Sequence, residues 1–188
     1  MLCRICGSKD LNDAIHVKEM MIPTYEVFNY VECRKCHCLQ IEEIPSDLER
    51  YYGPGYYSFQ PPELEMKESG QAKEIVSGGE NDKVILDVGC GAGDYLTQLR
   101  RIGYKHLFGC DPFLQHDLAY GEEIKIYKKT IHEMDGSYDM IFMNDSFEHV
   151  TDPHEVMESI KRLLAPNGIA RIAIPVYPNV AYDMFGTD

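Results

Sequence analysis

From residue 81 onward, hydrophobic positions follow two alternating patterns. Runs that are apolar throughout are typical of strands buried on both faces, and apolar residues three or four positions apart are typical of amphipathic helices. The patterns predict strands at 83–88, 106–110, 124–128, 138–143 and 169–174, and helices at 94–102 and 153–164. Strands and helices in this alternation predict an α/β fold with a parallel, doubly wound sheet.

Residues that start or stop helices support these boundaries. Gly103 follows the first helix, whereas Asp152 precedes the second as an N-cap and Pro153 takes its first position. Residues 166–168, Pro-Asn-Gly, predict a turn into the last strand.

The first predicted strand leads into a glycine-rich turn, within the run VILDVGCGAGDYL at residues 84–96. Glycine lacks a Cβ and tolerates positive φ, so Gly89, Gly91 and Gly93 allow a ligand to lie on the backbone. The helix that follows contributes free N–H groups and the positive end of its dipole. The turn therefore predicts a site for a nucleotide-like ligand that carries a carboxylate or another anionic group.

A sheet of this kind binds its ligand beyond the carboxyl ends of the strands. That rule gathers the residues at the strand ends into one crevice: residues 87–93, Asp111, Ile131, His132 and residues 144–149. Asp111 lies 24 positions after Asp87, close to the spacing at which an acid after the second strand binds ribose hydroxyls.

Composition limits the partners. The 188 residues suffice for one domain and a small appendage, and 44% of them are hydrophobic, enough for a packed core. The net charge of -13 opposes binding to the phosphate backbone of nucleic acids. We find no signal-peptide pattern and no apolar run of the roughly 20 residues that span a bilayer. We therefore expect a cytoplasmic protein without nucleic-acid or membrane partners.

Most of the cysteines lie near the N-terminus. They include two CxxC pairs, Cys3 with Cys6 and Cys33 with Cys36. In a reducing compartment, two such pairs favour a structural zinc site with four thiolate ligands over disulfides. Either His37 or Cys38 is an alternative to Cys36 as the fourth ligand. Residues 1–44 are thus predicted to form a zinc-ribbon-like module.

Residues 45–80 are predicted to connect this module to the α/β domain at 81–188. Prolines and glycines break regular structure near the start of the connector, where five aromatic residues cluster: Tyr51, Tyr52, Tyr56, Tyr57 and Phe59. We expect these rings to pack one module onto the other, and a lid over the ligand is the alternative. Residues 63–76 predict a polar helix.

Three separated segments resemble the class I S-adenosylmethionine-dependent methyltransferases. They are the glycine-rich run, the Asp111 that ends LFGCDP, and the block YDMIFMNDSFEHVTDPHEVMESIKRLLAPNGIARIAIP. The resemblance covers residues 81–175 and implies a Rossmann-like fold. It implies a cofactor site made of Asp87, Gly89, Cys90, Gly91, Gly93, Asp111, Pro112, Ile131, His132 and Asn144. The glycines would approach the methionine part of S-adenosylmethionine, Asp111 would hold the ribose, and Ile131 or His132 would border the adenine.

Methyl transfer requires alignment of donor and acceptor more than a nucleophile from the protein. Glu148 and His149 are the candidate catalytic residues, as a base for a hydroxyl or an acidic carbon. A structural hydrogen-bonding role for His149 is the alternative. The N-terminal CRICGS and CRKCHCLQ are similar to the zinc-binding module of bacterial sugar and surface-polysaccharide methyltransferases. This similarity implies a small-molecule acceptor, either a sugar or a nucleotide sugar.

Three other interpretations compete with this one. Asp145, Glu148 and His149 resemble the ExxEH metal site of some small-molecule O-methyltransferases, with aspartate in place of the first glutamate. A nicotinamide-dependent dehydrogenase would require GxGxxG, whereas the third glycine of this turn lies one residue earlier, at Gly93. A zinc-bearing interaction module without activity also fits, because the family fold continues into two more strands after the fifth. We accordingly expect an incomplete methyltransferase domain with weak or absent turnover.

Overall fold

The computed structural model describes residues 1–19, 24–53, 55–62, 81–178 and 184. The chain divides into two compact units, one built mainly from residues 1–51 and the other from residues 52–150 and 155–174. The helix predicted at 63–76 lies outside the described residues. Within the described ranges, no helix is both long enough and apolar enough to cross a membrane.

The first unit contains a three-stranded antiparallel sheet. Its strands, paired in chain order, are β1 (Ile15–Lys18), β2 (Val27–Glu32) and β3 (Leu39–Ile41). The buried Gln40 on β3 donates from Nε2 to the Leu2 carbonyl at 3.2 Å and accepts from the Arg4 N–H at 2.8 Å. This amide therefore ties the N-terminal CxxC segment to the sheet.

The second unit is a six-stranded sheet with helices. Its strands are β4 (Val84–Val88), β5 (His106–Cys110), β6 (Leu118–Tyr120), β7 (Ile124–Tyr127), β8 (Tyr138–Asn144) and β9 (Leu164–Ala173), and its helices are α1 (Asp94–Arg101) and α2 (Pro153–Leu163). The spatial order is β6-β7-β5-β4-β8-β9. Neighbouring strands are parallel except for β6, which pairs antiparallel with β7. The predicted α/β fold is confirmed.

Two hydrophobic layers cover the two faces of this sheet. In one layer Leu86 packs with Ile160 of α2, and in the other Ile85 packs with Leu96 of α1. Successive side chains of a strand point to opposite faces, so a strand covered on both faces needs apolar residues at consecutive positions. This explains why β4 and β8 are apolar apart from Asp87 in β4 and from Asp139 and Asn144 in β8.

Local signals place the helix boundaries as predicted. Asp152 caps α2, because its Oδ1 accepts a hydrogen bond from the His154 N–H at 3.0 Å. Pro153 takes the first helical position. Gly103, with φ of 106°, follows α1, and a Cβ at this position would lie 2.5 Å from Asn81 Nδ2. A residue with a side chain would be strained by this φ and would have to displace the Asn81 amide.

Two parts of the second unit differ from the prediction. The three-residue strand β6 is not among the predicted strands, and it forms a hairpin with β7. Strand β9 begins directly after α2 rather than at residue 169. Its register with β8 shifts between the pairs Tyr138↔Leu164 and Met140↔Ile169. The predicted Pro-Asn-Gly turn is therefore accommodated inside an irregular strand, with Asn167 at a φ of 64°.

Candidate functional site

The glycine-rich turn connects β4 to α1 at the carboxyl edge of the sheet. Gly89, Gly91 and Gly93 all have positive φ, of 73°, 53° and 89°. The Gly89 N–H donates to the Cys110 carbonyl at 2.8 Å, and the Gly93 N–H donates to the Cys90 carbonyl at 2.9 Å. These bonds fix the turn against the end of β5.

The space beside each glycine is filled by another part of the same chain. A Cβ on Gly89 would lie 2.6 Å from Ser146 Cβ, and a Cβ on Gly91 would lie 2.3 Å from the Ser58 carbonyl oxygen. A Cβ on Gly93 would lie 2.4 Å from a side-chain atom of β7. Positive φ at all three positions and the close packing beside them therefore favour glycine, reasons additional to the ligand approach that the sequence indicates.

Asp111 lies directly after β5 with its carboxylate turned towards the turn. Its Oδ2 accepts from the Gly91 N–H at 3.1 Å, and its Oδ1 accepts from the Phe113 N–H at 2.9 Å. Burial raises the pKa of Asp111. A carboxylate has about four lone-pair sites, so both oxygens can still accept from the hydroxyls of a diol.

Asp87 lies on β4 and is 4% exposed. Burial, and then the negative charge of Asp111, raise the pKa of Asp87 to about 8. At neutral pH the carboxyl is therefore largely protonated, and a nearby cation would favour its charged form. Two buried carboxyl groups close together make this crevice favourable for a positively charged ligand group.

The end of β8 closes another side of the turn. Asp145 has a φ of 47°, unusual for a residue with a side chain, and its N–H donates to the Ala173 carbonyl at 2.9 Å. The next residue, Ser146, donates from Oγ to the Val88 carbonyl at 2.7 Å. Ser146 lies within residues 144–149, which the sequence gathers at the crevice, but its bond to Val88 was not predicted because Val88 lies far away in the chain. Asn144 ends β8 and is half-buried.

The two predicted catalytic residues lie in one 3₁₀ turn, Phe147–His149. His149 Nε2 is 3.8 Å from Glu148 Oε1, and the His149 side chain is 50% exposed. Among the described residues, ligand atoms close enough to share a metal ion are found in a cysteine cluster, and the structure does not bring Asp145, Glu148 and His149 together in this way. The pair can act as a base without a metal ion.

The remaining predicted cofactor residues have contacts of their own. Ile131 is buried in the core layer beside α2. His132 Nδ1 lies 2.8 Å from Ser159 Oγ of α2. Cys90 Sγ lies 3.5 Å from the Gly91 carbonyl oxygen, and Pro112 is exposed after Asp111. Contact of these residues with an adenine or methionine group stays a prediction.

The aromatic part of the connector, for which the sequence favours packing between modules and gives a lid over the ligand as the alternative, lies against the glycine turn. This aromatic segment comprises residues 52–59, of which all but Pro54 are described. The Ser58 carbonyl accepts from the Ala92 N–H at 2.7 Å. Phe59 packs against the core layer beside α1. The preceding Tyr51 belongs to the first unit, where its ring lies 6.0 Å from that of Phe28.

Tyr52 connects the aromatic segment to two other parts of the site. Its ring stacks on Phe113 with 4.2 Å between centroids and 12° between planes. It also meets the His149 ring edge-on, at 6.2 Å. Tyr52 therefore lies between the loop that follows β5 and the turn that carries the predicted base.

The four cysteines of the two CxxC pairs come together in the first unit. The Sγ atoms of Cys3 and Cys36 are 3.6 Å apart, as are those of Cys6 and Cys33, and all four lie within 4.8 Å of one another. Four thiolates about 2.3 Å from a tetrahedral zinc ion would be about 3.8 Å apart. The donor set and its spacing therefore fit zinc.

Each CxxC pair closes in the same way. The Gly7 N–H donates to the Cys3 carbonyl at 2.9 Å and the His37 N–H donates to the Cys33 carbonyl at 2.8 Å. Gly7 and His37 have φ of 71° and 59°.

The His37 ring is 3.0 Å from a Glu32 carboxylate oxygen. Cys38 lies outside the cluster. The structure thus favours Cys36 over both alternatives as the fourth ligand.

Comparison with known proteins gives consistent results. A family model described as a methyltransferase domain matches residues 70–182. The ubiquinone biosynthesis O-methyltransferase of Sodalis glossinidius (strain morsitans) is 32% identical over 102 residues, which are 49% of this chain and 41% of the relative. That of Aeromonas salmonicida (strain A449) is 33% identical over 103 residues, or 49% of this chain and 43% of the relative. The chain thus spans about two fifths of the length of these relatives.

A solved structure is also similar, that of the glycopeptide N-methyltransferase MtfA complexed with sinefungin. It has 10% sequence identity over 59% of this chain and 55% of that chain, with a TM-score of 0.46.

Proposed function

Because the chain belongs to the methyltransferase-domain family, we propose that it transfers a methyl group from S-adenosylmethionine to a small-molecule acceptor, a sugar or nucleotide sugar. The observation that carries the proposal is the pair of buried carboxyl groups, Asp87 and Asp111, beside the glycine turn. Asp111 suits the hydroxyls of a ribose, and Asp87 suits a positively charged group.

The chain's own residues would bind and orient the two reactants. S-adenosylmethionine supplies a methyl group that is activated by a sulfonium sulfur. Asp111 accepts hydrogen bonds from the ribose, and Asp87 stabilises the positive charge of the donor electrostatically. Because the turn is bonded to the end of β5, both carboxyl groups are fixed before the ligand arrives, which reduces the cost of orientation.

Glu148 and His149 would take up the proton that the hydroxyl of the methyl acceptor loses. As the acceptor oxygen bonds to the methyl carbon, the bond from that carbon to sulfur breaks and S-adenosylhomocysteine leaves. The hydroxyl proton passes to the pair, in which the Glu148 carboxylate, 3.8 Å from His149 Nε2, stabilises a protonated imidazole. The sulfonium group loses its positive charge in this step, and the proton taken up by the pair keeps the total charge of the site unchanged.

The relatives favour a second acceptor class. Their name describes O-methylation in ubiquinone biosynthesis, which supports transfer to oxygen on a quinone-related ring. The stacked rings of Tyr52 and Phe113 provide an apolar surface near the crevice that suits a planar ring. A methyl-transfer screen with sugars, nucleotide sugars and catechols would distinguish the two acceptor classes.

The first unit would hold a structural zinc ion through Cys3, Cys6, Cys33 and Cys36. Four thiolate ligands leave no open coordination position for a substrate, so the ion would stabilise this unit without taking part in methyl transfer. The support for this part of the proposal is the spacing of the four Sγ atoms.

Calorimetry can test the donor assignment. The parent chain should bind S-adenosylmethionine and not NAD. Asp111→Ala should weaken that binding at least tenfold, because charge-assisted hydrogen bonds contribute about 1.5 to 3 kcal/mol each. Glu122→Ala, which removes an exposed carboxylate between β6 and β7, is the matched control and should bind as the parent does.

Equal affinities of the parent and Asp111→Ala would refute the ribose assignment. Binding of NAD alone would favour a dehydrogenase, and binding of neither cofactor would favour an interaction module.

A further inference from the structure

The aromatic segment contacts both sides of the proposed transfer site. Its residues precede those that the family model matches, so family membership assigns them no role. We propose that Tyr52 is a positioning residue, which holds the Asp111 loop and the Glu148–His149 pair at a fixed separation around donor and acceptor. The inference rests on the proposed function and deepens it.

Tyr52 is in ring contact with each side. On the donor side it stacks on Phe113 at 4.2 Å, and the N–H of Phe113 holds Asp111 Oδ1 at 2.9 Å. On the acceptor side it meets the His149 ring at 84° between planes. A displacement of this one ring would therefore move the ribose-binding carboxylate relative to the predicted base. Misalignment of reacting groups by about 1 Å can cost orders of magnitude in rate.

The phenol group of Tyr52 is also close to charge on both sides. Burial, and then the negative charges of Asp111 and Glu148, raise the pKa of Tyr52. The hydroxyl therefore stays protonated at neutral pH and can donate a hydrogen bond to a ligand held between the two carboxylates. Ring packing and hydroxyl donation can be separated by exchanging tyrosine for phenylalanine.

The segment that carries Tyr52 is anchored to the rest of the site. Ser58 bonds to the N–H of Ala92, and Gly91 has no Cβ, so the two backbones lie in direct contact. Tyr56 meets the Tyr52 ring edge-on at 5.1 Å. A Tyr52 ring that served only to pack two modules together would not need contacts with both Phe113 and His149.

Binding of S-adenosylhomocysteine, measured by calorimetry, tests the proposal. Tyr52→Leu should weaken it about three- to tenfold, the range expected when an aromatic pair is lost. Tyr52→Phe should retain most of the affinity, because the ring remains. Tyr51→Leu removes the neighbouring tyrosine, whose ring packs on Phe28 in the first unit, and should bind as the parent does.

A double-mutant cycle adds a measurement that a purely structural role would not change. If Tyr52 acts through Phe113, Phe113→Leu should weaken binding to a similar extent, and the double variant should be no weaker than either single one. Additive losses would contradict action through Phe113. Parent-like affinity of Tyr52→Leu, together with weak binding by Asp111→Ala, would overturn the positioning role alone. Parent-like affinity of both variants would overturn the proposed function as well.

A reporter variant keeps the test decisive if Tyr52→Leu does not fold. The chain contains no tryptophan, so Tyr52→Trp introduces a single tryptophan next to Phe113, whose emission can be excited separately from that of the tyrosines. Its emission should change saturably as S-adenosylhomocysteine is added, with the dissociation constant found by calorimetry. Unchanged emission while calorimetry shows binding would place Tyr52 outside the site and overturn the proposal.

Discussion

Asp87 shows how one buried residue can oppose folding as the pH rises. Its pKa is raised from 3.8 to about 8 by burial and by the charge of Asp111. The folded chain therefore holds this proton more tightly than the unfolded chain does. The resulting stability is fully present below about pH 4 and is lost progressively as the pH rises through about 8.

Asp87→Asn should remove this pH dependence. The amide keeps the shape of the side chain without a charge, so the variant should gain free energy of unfolding relative to the parent, by up to about 1.4 kcal/mol per pH unit between about pH 5 and 7. Urea unfolding at a series of pH values measures the difference.

Asp82→Asn is the matched control, because that side chain is 84% exposed. Its difference from the parent should not vary with pH. If the difference between parent and Asp87→Asn were equally constant, the raised pKa of Asp87 would be refuted.

At the scale of elements, the glycine turn and the aromatic segment are in backbone contact, so a side chain added between them should destabilise the fold. Gly91→Ala places a methyl group 2.3 Å from the Ser58 carbonyl oxygen, at a φ of 53°. The left-handed conformation costs about 1 to 2 kcal/mol and overpacking costs about 1 to 3 kcal/mol. We expect a loss of about 2 to 5 kcal/mol in the free energy of unfolding, measured with urea.

Gly55→Ala is the comparison within the aromatic segment. An added Cβ there meets nothing within 4 Å. The change should stay within about 0.5 kcal/mol of the parent. Equal stability of the Gly55 and Gly91 variants would show that the turn and the segment are not in contact in solution.

The elements whose signals are local could be predicted from the sequence. Asp152 and Gly103 mark helix ends within a few residues, and β4 and β8 are recognisable from their apolar runs. Contacts between distant positions could not be predicted. Ser146 bonds to Val88 across 58 positions, and no local pattern indicates such a partner. The start of β9 was predicted at residue 169 instead of Leu164, because residues 166–168 have the composition of a turn. In the structure these residues lie inside the strand, where the register with β8 shifts.

The same contrast applies to the site. Asp87, Asp111 and the glycine turn are recognisable because strand ends and spacing place them together, and the structure gathers them as expected. The role of the aromatic segment could not be derived from the sequence, since its rings are compatible with several kinds of packing. Only the contacts of Tyr52 with Phe113 and His149 distinguish among these.

At the scale of the whole molecule, the two units depend on different sources of stability. The second unit has two extended hydrophobic layers. In the first unit the buried apolar side chains are few, and Cys3, Val31 and Cys33 account for those among its described residues. A small unit with so little core usually needs a metal or disulfides, so we expect a metal ion bound by the cysteine cluster to contribute much of its stability.

Zinc removal should therefore affect the first unit selectively. Elemental analysis should find about one zinc per chain, and a chelator should expose amides in residues 1–51 to hydrogen exchange while those of β4 and β8 stay protected. Cys36→Ser should lose the metal. Cys38→Ser should retain it, because that thiol lies outside the cluster. Retention of zinc by Cys36→Ser and its loss from Cys38→Ser would reverse the ligand assignment.

If one of the three glycines of the turn were replaced, a second substitution could make room for the new side chain at two of the positions but not at the third. Gly93 faces the tip of the flexible Ile126 side chain, and Gly89 faces the Cβ of Ser146, so a smaller residue at 126 or 146 restores space. Gly91 faces a backbone carbonyl, which no substitution at position 58 can remove. In a library selected for folding, a second mutation can therefore relieve the steric clash at positions 89 and 93 but not at position 91, and the strain of the positive φ stays at all three.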